Sequence, residues 1–173
     1  LEQAEIISPF PQKLIITALG GSVATPANGL TGEIVIFPTL QALKDAPMEG
    51  LEDKIVFVDE FMTRTQDGSG YGVAVQKRSG AANEAGKRGA AAALIRSVGT
   101  DHHRFPHTGQ MSYENGLPKI PIAALSAPDA DQLGRAVLLG KVEVKLVIDV
   151  ETKGKRQSGN VIGEIPGHTD AIV

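Results

Sequence analysis

The sequence predicts a mixed α/β domain of about seven strands and three helices. Short apolar, β-branched runs alternate with stretches of helical character along most of the chain. Two kinds of strand are present. KIVFVD at 54–59 is apolar at consecutive positions, the mark of a strand covered on both faces, whereas KVEVKLVI at 141–148 alternates, the mark of a strand with one wet face. With 173 residues, 42% of them hydrophobic and 21% charged, the chain can bury one core and lies outside the range in which chains stay disordered.

The elements follow in order. LEQAEIISPF at 1–10 has no clean period and runs into Pro9-Phe10-Pro11, which reads as an incoming linker over residues 1–12. LIITAL at 14–19 is a strand bounded by Gly20-Gly21, Asn28-Gly29 a turn, and EIVIF at 33–37 the next strand. Pro38-Thr39 starts a short helix over 40–46, ended by Pro47, and the strand 54–59 follows. DGSGYG at 67–72 reads as a flexible loop before a helix over 73–87. That helix is rich in alanine and glycine; each helical glycine costs about 1 kcal/mol against alanine, which close approach to a sheet would offset. Lys87-Arg88-Gly89 ends it, and a buried strand covers 92–98. Residues 99–119 form a long loop. IPIAAL at 120–125 is a strand, Pro128-Asp129 opens a helix that Gly140 closes, and strands at 141–148 and 158–165 complete the order.

A formal net charge of -3 gives no positive field for nucleic acid, and the basic pairs at Lys87-Arg88 and Lys153 to Arg156 read as a solvated helix end and turn. Zero cysteines exclude disulfides, thiolate metal sites and cysteine nucleophiles. No apolar run approaches the roughly 18 residues of a membrane span, and the signal of an exported parent is expected upstream of Leu1.

No catalytic constellation is expected. The glycine loop at 67–72 matches neither phosphate-binding spacing. Ser126 lies between a strand and a helix without the G-x-S-x-G pattern, so helix capping accounts for it. The carboxylate pairs Asp59/Glu60 and Asp129/Asp131 suit a strand end and a helix start. Asp101, His102, His103 and His107 form the one metal-like group, but Pro106 separates the last two histidines and no H-E-x-x-H helix can align them. They are expected to be unorganised in a polar, exposed loop, with no metal site in the segment.

KIVFVD, then GAAAALIR at 89–96, then KIPIAALSA at 119–127 resembles the protease-associated domain, in which GKIVLVD, GAAAVI and IPVVSIS-like strands recur in this order. The match spans residues 14–150. PHTG at 106–109, Tyr113 and LPKIP at 117–121 look like the loop of such domains in zinc aminopeptidases and plasma-glutamate-carboxypeptidase-type enzymes. SGNVIGEIPG at 158–167 is similar to the segment by which those enzymes enter their catalytic domain, and Thr169 to Val173 looks like the start of the strand that leads to their His-x-Asp zinc motif. None of the family's zinc ligands falls on this sequence; His168 lies ahead of that strand.

The resemblance implies a mixed β-barrel or sandwich of the swivelling β/β/α type. It also implies a protease-associated domain at 13–152 and a return segment at 153–173 leading to a catalytic domain. It implies a noncatalytic lid or substrate-access module of a secreted or periplasmic zinc exopeptidase, with zinc held by the parent and no cofactor in this segment. The expected partners are the catalytic domain of the same chain, peptide substrate and other proteins. His107, Thr108, Gly109 and Tyr113 are the expected substrate rim. A free-standing interaction module and a small enzyme with an unrecognised site are the alternative readings.

Overall fold

The structure, a computed structural model, describes residues 1–165 and Gly167. The element order is β1 (Glu2–Ser8), β2 (Gln12–Leu14), β3 (Ile16–Ala18), β4 (Leu30–Phe37), α1 (Leu40–Lys44), β5 (Ile55–Val58), α2 (Ser69–Ala74), α3 (Lys77–Lys87), β6 (Ala92–Arg96), β7 (Ile122–Leu125), α4 (Ala127–Val137) and β8 (Glu143–Ile148). The strands join one eight-stranded sheet in the order β2-β1-β8-β4-β5-β6-β7-β3. β4 to β7 run parallel, and the remaining neighbours pair antiparallel.

The outermost strands, β2 and β3, are consecutive in the chain and separated by Ile15 alone, so the sheet curls into a nearly closed barrel. Side chains complete the seam. Ala18 N–H donates to Glu2 Oε1 at 3.0 Å, and Ile15 N–H donates to Asp129 Oδ2 at 2.9 Å. Backbone groups that a ladder would otherwise satisfy thus find carboxylates.

Two cores lie on the two faces of the parallel strands, which is why KIVFVD is apolar without alternation. Ile55 and Phe57 point into the barrel with Leu94, Leu125, Leu146 and Ile148, where Ala130, Leu133 and Ala136 of α4 cover one end. Val56, Val58, Ala93, Ile95 and Ile122 point outward onto Leu40 and Leu43 of α1 and Ala81, Ala82 and Ala85 of α3. β8 faces the barrel interior with Val144, Leu146 and Ile148 only, as its alternation predicts.

Both predicted caps form. Thr39 Oγ1 accepts from Ala42 N–H at 3.0 Å, and Ser126 Oγ accepts from Asp129 N–H at 3.3 Å. Gly89, at φ +76°, ends α3 where the Lys-Arg-Gly signal places the stop.

Several expectations are corrected. Glu2–Ser8 is no linker but a seven-residue strand between β2 and β8, with Ala4 and Ile6 buried; its period is short and the prolines beyond it obscure it. The strand expected at 14–19 breaks at Ile15, because the chain crosses there from one end of the sheet to the other. The glycine-rich stretch at 67–72 is partly helical, with α2 starting at Ser69, where Asp67 Oδ1 accepts from Ser69 N–H at 3.0 Å. α2 and α3 are two helices rather than one. The α3 glycines do not meet the sheet: a Cβ on Gly80 would stand 2.6 Å from Leu40 Cδ2 of α1, and one on Gly86 2.8 Å from the Pro118 carbonyl oxygen. Alanines make the sheet contact instead. Residues 158–165 form no strand among the described residues, and Val161, Ile162 and Ile165 stand in solvent with no surface to bury against. The strand start expected at Thr169 to Val173 lies outside the described residues.

Candidate functional site

The carboxyl ends of β5, β6 and β7 carry most of the polar chemistry of the domain, as the ends of parallel strands commonly do. β6 ends on Arg96, a buried guanidinium that bridges two elements. Its Nε donates to Asp59 Oδ1, beyond β5, at 2.7 Å, and its Nη2 donates to Asp131 Oδ1 of α4 at 2.7 Å. The exposed Phe61 ring lies 3.8 Å over that guanidinium. Burial raises the Asp59 pKa despite Arg96. Burial also pushes Asp131 upward, but hydrogen bonds from His102 and Arg96 outweigh it and the net shift is downward. Lys77, fully buried at the start of α3, donates to the Glu60 carbonyl, and burial lowers its pKa to about 8.

From Ser97 onward the chain leaves the sheet, and two exposed side chains of the loop, His102 and Arg104, reach carboxylates of α4. His102 Nε2 meets Asp131 Oδ2 at 2.7 Å. Arg104 meets Asp129 at 2.8 Å and donates to the Lys13 carbonyl at 3.0 Å. The ligating atoms of their neighbours converge: Asp101, His103 and His107 each offer one atom within 4.8 Å of the others, all three being exposed. His103 Nε2 lies 2.5 Å from Asp101 Oδ2, and His107 Nε2 lies 3.9 Å from the same oxygen. The expectation of unorganised histidines is corrected here. A turn pinned by the Arg104–Asp129 ion pair and the His102–Asp131 contact brings together what no helix could, and it takes His102 out of the group.

His107 is the most firmly seated of the three. Its N–H donates to Ser97 Oγ at 2.8 Å, that hydroxyl donates to the Leu125 carbonyl at 2.6 Å, and ring Nδ1 lies 3.2 Å from the Val98 carbonyl. A carbonyl only accepts, so Nδ1–H is the donor to Val98, and Nε2 is the ring atom turned toward Asp101 and His103.

The other rim candidates are tied down rather than free. Thr108 Oγ1 donates to the Ala18 carbonyl at 2.8 Å, and Arg78 Nη2 donates to the Thr108 carbonyl at 3.0 Å. The Gly109 carbonyl accepts from Gly20 N–H at 2.8 Å. Tyr113, half-buried, donates its hydroxyl to the Ile120 carbonyl at 2.6 Å and accepts from Val23 N–H at 3.1 Å; burial raises its pKa. Asn83 of α3 brackets the same stretch, donating to the Ser112 carbonyl and accepting from Glu114 N–H, both at 3.1 Å. His107 and Thr108 are exposed, Gly109 and Tyr113 partly so. All four belong to one strip of the chain between β6 and β7, with His107 at the metal-like cluster and Tyr113 at its far end in sequence. A hollow of about 330 Å³ over β1 and β2, lined by Glu2, Glu5, Lys13 and Lys145, shares no residue with this strip.

The sequence does not reveal the Arg96 bridge or the Arg104–Asp129 pair. Arginine inside an apolar run, as in ALIR, and acidic residues in the first turn of α4 are the signals, and neither names its partner.

No family model matches the chain. It is 34% identical over 167 residues to carboxypeptidase Q of Xenopus laevis, an alignment covering 96% of this chain and 34% of that protein. A solved peptidase M28 precursor from Shewanella amazonensis is 50% identical and superposes with a TM-score of 0.81, over 85% of this chain and 34% of that one. BSAP, a zinc aminopeptidase from Bacillus subtilis, shares the fold at a TM-score of 0.52 and 17% identity, over 84% of this chain and 30% of its own. The chain spans about a third of the length of the curated relatives it matches. Its relatives in sequence are thus carboxypeptidases Q and a peptidase of the M28 kind.

Proposed function

We propose that this chain is the noncatalytic protease-associated module of a zinc exopeptidase of the M28 kind, seated beside the catalytic domain of the same polypeptide and limiting substrate access. The observation that carries this reading is the alignment: nearly the whole chain matches a third of carboxypeptidase Q, and an M28 precursor half identical to it has the same fold over the matched region. Zinc belongs to the parent by analogy with the zinc aminopeptidase that shares the fold. The module comprises residues 13–152 together with β1, and residues 153–173 are the return segment to the catalytic domain. Exposed Val161, Ile162 and Ile165 suit a segment that packs on a following domain. A secreted or periplasmic parent follows from the same resemblance.

In this reading the strip from His107 to Tyr113 faces the peptide-binding cleft. Its side-chain and backbone ties to Ala18, Gly20, Val23 and Asn83 make it a rigid edge, which suits steric selection among substrates better than a moving flap. The test is steady-state kinetics of the full-length parent carrying His107→Ala or Tyr113→Phe. KM or peptide preference should shift severalfold, and unchanged kinetics on several peptides would remove the idea. The isolated chain should show no peptidase turnover with or without zinc; turnover would favour the small-enzyme reading.

A further inference from the structure

We propose that Asp101, His103 and His107 form a binding site for a divalent transition metal such as Zn²⁺ on the loop between β6 and β7. This goes beyond the substrate-access reading and does not depend on it. Two imidazoles and a carboxylate are a donor set that zinc accepts, and three protein ligands leave a fourth position for water.

Proximity is the first observation, and two others go beyond it. The donor atoms lie within 4.8 Å of one another. In a tetrahedral zinc site ligand atoms sit roughly 3.3 Å apart, so His103 and Asp101 must part by roughly 0.8 Å and the wider pairs close by at most roughly 1.5 Å, displacements of side-chain scale. His107 already has the outer support that metal-bound histidines use: Nδ1–H on the Val98 carbonyl at 3.2 Å, which fixes the ring and leaves Nε2 as the ligand. The backbone between the ligands is anchored on both sides, by His102 on Asp131, Arg104 on Asp129 and His107 N–H on Ser97. Only the outward-pointing side chains remain to be ordered by the ion.

The surroundings are electrostatically permissive. Arg104 sits next to His103, but Asp129 neutralises it at 2.8 Å. Arg64 donates to Thr100 Oγ1, at 3.3 and 3.4 Å, and Arg78 to the Thr108 carbonyl at 3.0 Å. The His103 ring is also held edge-on by Phe105, with centroids 5.6 Å apart.

The experiment is calorimetric titration of the 173-residue chain with ZnCl2 alone, paired with Co²⁺ titration followed by its visible absorption. One ion per chain should bind, with a Kd on the order of 10 µM or tighter, and Co²⁺ should give the intense bands of a low-coordinate site. His103→Ala and Asp101→Asn, both exposed changes expected to leave far-UV circular dichroism intact, should each weaken binding by about tenfold or more. His168→Ala, at the one histidine outside the loop between β6 and β7, should stay within about twofold of the parent. Absence of stoichiometric binding at about 100 µM zinc, a folded His103→Ala that binds as tightly as the parent, or an equal loss in His168→Ala would overturn the proposal.

Discussion

β5 and the loop that joins β6 to β7 belong to the same half of the domain and are held by opposite means. Every residue of Ile55–Val58 is fully buried, with one side chain after another delivered to the barrel interior and to the helix-covered face. The loop buries little. It is fastened by single polar ties to distant parts of the chain: Arg104 to Asp129, Asn83 to Ser112 and Glu114, Thr108 to Ala18, Tyr113 to Val23 and Ile120. Burial is collective and strong; each tie is worth about 1 kcal/mol net. The strands therefore set the stability of the domain, and the loop can lose a fastening, or gain an ion, without unfolding it.

The largest break in that contrast is Phe57→Ala, which should cost about 3–5 kcal/mol by emptying the barrel interior, read as a lower denaturation midpoint in urea. Asp129→Ala comes next, at about 3 kcal/mol. It removes the partner of Ser126 Oγ at 2.6 Å, the acceptor of Ile15 N–H at the seam and the tether of Arg104 together. Asp129 thus joins the two regimes, since one carboxylate serves the core and the loop.

Lys77 sharpens the comparison through pH. Its folded pKa, about 8, lies below its ordinary value of 10.5, so between those values the unfolded chain binds more protons and stability rises with pH. The rise should reach about 2–3 kcal/mol, and Lys77→Met should abolish it. Tyr113 acts in the opposite sense at higher pH, because its raised pKa means that the folded chain holds its proton longer. Measurement between pH 8 and 9.5 isolates the lysine. The smallest effect is Tyr113→Phe, about 1 kcal/mol from the loss of both hydroxyl bonds, with faster amide exchange confined to the loop and residues near Val23.

The same division explains what could be read from the sequence. KIVFVD, IPIAAL and KVEVKLVI announce themselves because burial is a local demand on consecutive residues, and the caps at Thr39 and Ser126 follow from short-range geometry. Barrel closure is different. Nothing in LIITAL marks Ile15 as the crossing point, since the cause is Asp129, more than a hundred residues away. Glu2–Ser8 was obscured by its charged face and by Pro9. At the loop, the residue types of a metal-like cluster were legible, but its assembly was not, because the carboxylates that shape the turn, Asp129 and Asp131, lie in α4. The glycines of α3 showed that something approaches closely without saying that it is Leu40 and Pro118 rather than the sheet.

The most direct test of the substrate-access account is the ratio of kcat/KM for a long peptide to that for a dipeptide, measured on the full-length parent with and without His107→Ala. The account predicts a ratio changed severalfold with dipeptide turnover nearly constant. A ratio that stays the same, or a loss shared equally by both substrates, would contradict it.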